Sequence, residues 1–289
     1  MIIDSHAHLE PRMLEPEALL RKMDAAGIDR VALIPPMNDP LPDVPERLLA
    51  VVRRLARSRV GRLLAEAVHR TTLTRDGNLR VSGRIVRLEH RPDNAPVAAL
   101  CARYPTRFYG WIFLNPRNDP SVLDELERWR SEPGMVGIKL HPHWHDYRSE
   151  LCVPILRRAE ELGLPVLVHL GFRQRGDYRA LAEKHPGVRL VAAHAGFPHF
   201  DDLWRGARRL PNLTVDLSSP YLDEALCRAA VTALGPERCL YGTDAPYGFH
   251  GHDGTYDYGA IRGWVERMPV STRSRERILG ETFLSLVQR

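Results

Sequence analysis

Asp4-Ser5-His6-Ala7-His8 follows directly on the apolar opening Met1-Ile2-Ile3. In an extended strand alternate side chains share a face, so the spacing predicts His6 and His8 side by side at a strand end. Two imidazoles placed in this way are half of a metal site. The other half must come from elsewhere in the chain, and the pattern that would supply it recurs.

Strand-length apolar segments run at Met1–Leu9, Arg30–Pro36, Arg107–Pro116, Met135–Pro142, Pro165–Gly171, Arg189–Gly196, Leu213–Ser219 and Arg238–Pro246. They are rich in Val, Ile, Leu and Ala, as strands buried on both faces are. Helix-length segments alternate with them at Pro16–Ala26, Ser121–Arg130, Glu150–Leu162, Tyr178–His185 and Leu222–Leu234. Gly27 and Gly163 stop two of these before the next strand. Eight strands alternating with helices predict an α/β fold, a parallel sheet closed as a (β/α)8 TIM barrel. The 289 residues suit one such domain spanning 1–289.

One connection is too long for a plain barrel. Residues 37–106, between the second and third strands, read as an insertion of helices and a hairpin within the domain. The insertion opens with prolines and continues as a basic helix from about Glu46 to His69. Turn signals at Asp76-Gly77 and Ser82-Gly83 then mark a hairpin, and a helix from Asp93 to Tyr104 leads back to the barrel. Thr272–Val287 reads as a closing helix.

The formal charge is +5, but the basic residues are spread along the chain, so nucleic acid is not an expected partner. The densest stretch, Arg53 to Arg91, carries eleven arginines against Glu66, Asp76 and Glu89. It could steer an anionic ligand toward a cleft, or it could simply be a solvated surface. No apolar run approaches the roughly 20 residues of a membrane span, so no membrane partner is expected. The opening residues do not read as an export signal and the four cysteines show no CxxC spacing. The expectation is a cytoplasmic protein with reduced thiols.

Polar residues interrupt the buried strands near their C-terminal ends, where a barrel builds its active-site mouth. Lys139 and His141 end the fourth strand, His169 the fifth, His194 the sixth and Asp244 the eighth. Histidines and an aspartate converging there suit one divalent cation, Zn2+ first, with Mn2+ or Fe2+ as alternatives. Such a cation would lower the pKa of a bound water to about 7. Asp244 could ligate the metal, orient that water or carry its proton, and a histidine outside the ligand set could act as general acid/base.

Taken in order, Asp4-Ser5-His6-Ala7-His8, Gly137-Ile138-Lys139-Leu140-His141-Pro142, Val168-His169, Ala193-His194-Ala195-Gly196, Gly242-Thr243-Asp244-Ala245-Pro246 and the closing Ile278-Leu279-Gly280-Glu281-Thr282 resemble the amidohydrolase superfamily. The resemblance is to its amidohydrolase-related branch of TIM-barrel hydrolases and decarboxylases, and it spans nearly the whole chain except the insertion. It implies one metal held by His6, His8, His169 and Asp244, with His194 as the acid/base histidine. A strand-four lysine is carboxylated and bridges two metals in binuclear members. A mononuclear site is expected here, leaving Lys139 to pair with a substrate carboxylate or with Asp244.

Lys139, His141, Arg173 and Tyr247 are the candidate substrate-binding residues, with Phe172 also near the mouth. His143 and His145 read as surface or rim, and Asp4 as a residue orienting a ligand or capping its strand. His250-Gly251-His252-Asp253 reads as a polar loop rather than a second metal site. The implied activity is hydrolysis of an amide, ester, lactone or related bond in a small molecule. The alternatives are nonoxidative decarboxylation of an aromatic or dienoic acid, and a barrel that binds a ligand without catalysis. The expected partners are a small-molecule substrate, anionic groups included, and a second copy of the chain as a homodimer.

Overall fold

The structure is a computed structural model that describes residues 1–42, 44–250 and 256–288. In chain order its strands are β1 (Ile3–His8), β2 (Arg30–Ile34), β3 (Leu79–Val81), β4 (Arg84–Val86), β5 (Phe108–Phe113), β6 (Met135–Leu140), β7 (Val166–Val168), β8 (Leu190–Ala192), β9 (Leu213–Asp216) and β10 (Cys239–Leu240). Eight of them form a parallel sheet in the order β1-β2-β5-β6-β7-β8-β9-β10, and β3 and β4 form a separate antiparallel hairpin. Each segment read as a barrel strand contains one of the eight.

The sheet closes through the chain just beyond β10. Ser5 N donates to Tyr241 O at 3.0 Å, Asp244 N to His6 O at 2.7 Å and His8 N to Ala245 O at 2.6 Å. This seam brings the fourth residue after β10 beside both histidines of β1. Gly242 lies on the seam, where a Cβ would stand 3.2 Å from the His6 Cβ and 3.1 Å from that of Ser218.

The helices are α1 (Pro16–Ala26), α2 (Glu46–Ala56), α3 (Arg59–Thr72), α4 (Ala95–Arg103), α5 (Val122–Trp129), α6 (Val153–Leu162), α7 (Tyr178–Lys184), α8 (Phe200–Ala207), α9 (Glu224–Leu234), α10 (Ala260–Glu266), α11 (Thr272–Glu276) and α12 (Thr282–Val287). Gly27 and Gly163 do cap α1 and α6, each in the left-handed conformation at φ +63°. The barrel interior is filled by Ile3, Ala32, Ile34, Trp111, Leu167, Val191 and Leu240. Trp111 is fully buried, and its indole N–H donates to Ser5 O at 3.0 Å. Gly137 on the neighbouring strand leaves room for that ring, since a Cβ there would come within 2.4 Å of it. Phe283 of α12 meets Trp111 edge-on and joins this interior cluster.

Two helices differ from the sequence reading. The basic segment from Glu46 to His69 is two helices rather than one, because Ser58 is extended and its Oγ accepts from Gly61 N at 2.9 Å, starting α3 afresh. The closing segment is α11 and α12 joined through a wider π turn over Arg277–Glu281. The hairpin turns at Ser82-Gly83, where both residues have positive φ, the backbone that a two-residue hairpin loop requires.

Candidate metal centre

β1 delivers His6 and His8 to one end of the barrel, and the seam delivers Asp244 to them. Asp244 Oδ1 lies 3.4 Å from His6 Nε2 and 3.3 Å from His8 Nε2. His194, two residues beyond β8, stacks on His6 with ring centroids 4.9 Å apart. One ligand atom from each of His6, His194 and Asp244 lies within 4.8 Å of the others. His169, one residue past β7, faces His194, with its Nδ1 3.1 Å from His194 Nε2.

Asp216, at the end of β9, organises this cluster, and the sequence reading passed over it. It is fully buried. Its Oδ2 accepts from His6 Nδ1 at 2.9 Å, and its Oδ1 accepts from His194 N at 3.0 Å and Ser218 N at 3.1 Å. The Ser218 hydroxyl donates to the same carboxylate and lies 2.9 Å from His194 Nδ1. With the His6 proton held on Nδ1, its Nε2 presents a lone pair toward Asp244, the arrangement a ligating histidine needs. The signal was present in Leu213-Thr214-Val215-Asp216, a charge ending an apolar strand, as in the strands whose polar ends were recognised.

Asp4 works from the opposite side. Its Oδ1 accepts from Thr243 N at 3.0 Å, and the hydroxyls of Thr243 and Tyr258 donate to its Oδ2. Burial pushes the Asp4 carboxyl up to about 7, against the pull of these hydrogen bonds. Asp4 therefore holds the Thr243-Asp244 backbone and contributes nothing to the cleft.

Burial favours the neutral imidazole throughout the cluster, lowering His6 and His8 and pulling His194 down to about 4. Burial alone would raise Asp244, but His194, His8 and His6 pull it well below the usual carboxylate range. Asp216 behaves likewise, held ionised against burial chiefly by His6. Lys139 is fully buried with Nζ 3.3 Å from His6 Nε2, and burial lowers it to about 8 while Asp216 and Asp244 resist. Two carboxylates against one ammonium leave the cluster net negative, which favours a cation there. The donor set fits such an ion in a second way. His8 Nδ1 and His169 Nε2 are buried polar atoms without a protein hydrogen-bond partner among the described residues.

The cluster forms the floor of a cleft of about 460 Å³. His8, His141, His169, His194, Asp244 and Tyr247 all line it. His141 sits with its ring centroid 4.2 Å from that of His169, and Tyr247 meets His8 edge-on at 5.3 Å. Lys139 lies beneath the cluster and does not line the cleft. Arg173 is outside it too: the side chain is 65% exposed and its Nε lies 2.6 Å from Glu66 Oε2 of α3.

The two other loop histidines are buried rather than at a surface. His143 stacks between His69 and His169, with centroids at 4.1 and 5.1 Å. His145 lies against Phe113, with its Nε2 3.1 Å from Glu89 O. Phe172 packs beside His143. His250 lines the cleft; His252 and Asp253 lie outside the described residues.

The inserted helices cover part of the cleft, and their arginines fasten them to the barrel. Arg53 donates to Pro220 O at 3.0 Å and to Glu46 at 2.5 Å, Arg57 pairs with Asp201 and Arg62 with Asp202. Arg175 and Arg173 reach up to Glu66 in return.

A family model described as Amidohydrolase matches residues 3–282. Among solved structures, 2,6-dihydroxybenzoate decarboxylase from Rhizobium aligns over 99% of this chain and 98% of its own at 15% identity, TM-score 0.61. A dihydroxybenzoic acid decarboxylase from Polaromonas, with bound manganese and the inhibitor 2-nitroresorcinol, aligns over 99% and 96% at 17% identity, TM-score 0.61. A 4-oxalomesaconate hydratase from Rhodopseudomonas palustris aligns over 99% and 95% at 16% identity, TM-score 0.62. At these identities the likeness is one of fold.

Proposed function

The chain belongs to the amidohydrolase family, and from that premise we propose that it is a metal-dependent hydrolase of a small molecule, cleaving an ester, lactone, amide or related bond. The observation that carries the reading is the convergence of His6, His8 and Asp244 with His169 and His194 at the floor of a cleft large enough for a small molecule. We assign His6, His8, His169 and Asp244 as the residues that hold the ion. His169 enters that set because its Nε2 is buried without a partner among the described residues, and His194, which lies close to His6 and Asp244, is kept as the acid/base residue.

A divalent ion held there supplies Lewis acidity and a water that ionises near neutral pH. Asp216 holds His6 in the tautomer whose Nε2 is free to ligate. Asp244, kept ionised, offers a carboxylate oxygen that can take the proton of an attacking water. His194 is neutral, and the hydroxyl of Ser218 fixes its Nδ1, so Nε2 is the atom that accepts and returns a proton to the leaving group.

Decarboxylation of an aromatic acid is the second reading. The rings of Trp144, Tyr221 and Phe249 among the cleft walls favour it, since they offer aromatic surface to an aromatic substrate. The two readings separate in one experiment. Protein carrying about one equivalent of Zn2+ or Mn2+ is offered esters, lactones and anilides beside hydroxybenzoates, with acid release and CO2 release followed together. Acid release supports hydrolysis and CO2 release the alternative. Metal-loaded protein that turned over neither class would sink both.

A further inference from the structure

The cleft is built differently from what an arginine-rich insertion suggests. Among the described residues its lining contains no arginine and no lysine. Three arginines of the inserted helices are engaged elsewhere: Arg53 with Glu46 and Pro220, Arg57 with Asp201, Arg62 with Asp202. Away from the histidine floor, α2 supplies Leu48, Leu49 and Val52, α3 supplies Val68, and the segment before α2 supplies Leu41 and Val44. The carboxylates of the lining are Asp244 on the floor and Glu46, which already holds Arg53. A negative charge at the outer end of a bound molecule would meet aliphatic side chains and the Arg53-paired carboxylate of Glu46. No cation among the described lining residues would answer it.

Resting on the reading of the floor as a metal centre, we propose that the substrate reacts at one end and carries an uncharged, apolar chain or ring at the other, selected by the aliphatic wall of α2 and α3. Leu49 and Val52 are the specificity-determining positions. Both are half-buried, face the cleft and lie one helical turn apart, so together they present a continuous apolar surface to the distal part of the substrate. The insertion thus serves as a selector whose arginines are its fastenings and whose aliphatic face makes the contact.

Two hydroxamates of equal length test this, since both present the same chelating group to a metal and differ only at the far end. Octanohydroxamic acid ends in a methyl group, and suberic monohydroxamic acid ends in a carboxylate. Binding to full-length, metal-loaded protein is measured by calorimetry, so no turnover is needed. The expected result is at least about tenfold tighter binding of octanohydroxamate. Leu49→Arg and Val52→Arg are each expected to close or reverse that gap while metal content stays unchanged. Leu49→Ala, which adds no charge, keeps the preference but weakens octanohydroxamate several-fold, and so covers the case in which an arginine variant fails to fold. Equal affinity for the two hydroxamates in the parent protein overturns the inference and leaves the metal centre standing. A preference that survives both folded arginine variants also overturns it. Protein that retains no metal and binds neither compound overturns the metal reading, and the inference with it.

Discussion

Replacing Asp216 by Asn tests the centre at its most demanding point, because the change is almost isosteric and Asp216 itself does not line the cleft. Asp216 accepts four hydrogen bonds, one at Oδ2 from His6 Nδ1 and three at Oδ1 from His194 N, Ser218 N and the Ser218 hydroxyl. An asparagine carbonyl can keep the set at Oδ1. Its amide NH2 then stands where Oδ2 was, 2.9 Å from His6 Nδ1, donor against donor. The contact is relieved if His6 moves its proton to Nε2, which removes the lone pair that would ligate. Loss of such a tautomer-fixing partner costs about 10–100-fold in metal affinity, or about 1.4–2.7 kcal/mol. The assay is competition for Zn2+ or Mn2+ against a chelator of known affinity, with chain integrity checked by circular dichroism. Asp216→Asn that folds and binds metal within twofold of the parent would refute the claim that Asp216 fixes His6 for ligation.

Three further predictions follow from the same geometry. His169→Asn should lose most bound metal, whereas His194→Asn should keep close to one equivalent and lose at least about 100-fold in kcat; the reverse outcome would put His194 in the ligand set with His6 and Asp244. Arg173→Ala should leave kcat/KM within about twofold, since the guanidinium is mostly exposed and paired with Glu66; a tenfold loss would return Arg173 to the substrate. His145 should contribute acid sensitivity. Burial, with His90 and Arg117 adding to it against the hydrogen bond to Glu89 O, pushes it down to about 3 from the usual 6.5. Between those values the unfolded chain binds the extra proton, so this stabilising contribution is complete above pH 6.5 and falls with decreasing pH. By pH 5 the loss is about 2 kcal/mol, and His145→Asn should shrink the parent's difference in urea stability between pH 7 and pH 5 by that amount.

The barrel was legible because its signal is local. Each strand is a short apolar run, and each polar strand end marks the mouth, so the eight strands and the residues His6, His8, His169, His194 and Asp244 could be found from neighbours in sequence. What stayed hidden depends on partners far apart in the chain. The guanidinium of Arg173 meets Glu66, and that of Arg53 meets the carbonyl of Pro220. Nothing near any of these residues announces the pairing, so the basic insertion could be read as a solvated surface or as a guide for anions, but not as a set of fastenings. His143 and His145 looked like rim because their loop is polar. They are buried because the insertion lies over them, with His69 stacked on His143 and Glu89 O within reach of His145. Asp216 is a different case: a charge ending an apolar strand, its local signal was as clear as the others, and its part in the site shows only through the His6 and His194 contacts that the fold brings to it.

The two carboxylates that never reach the cleft explain how the residues that do are held. His194 and Asp244 both adopt left-handed backbone, at φ +56° and +62°, which costs a residue with a Cβ about 1 kcal/mol or more. Each is pinned by a buried acid on the side away from the cleft. Asp216 accepts the His194 backbone N–H, and Asp4 accepts the N–H of Thr243, the residue before Asp244. Each acid also reaches β1: Asp216 holds the His6 ring, and Asp4 is a residue of that strand whose Oδ1 accepts from His6 N at 3.1 Å. The strain at two site residues and the orientation of a third therefore share the same pair of anchors. Asp4 lies on β1 at the closing seam and Asp216 on β9, the neighbour of β10, so the region where the barrel closes is also where the site is assembled.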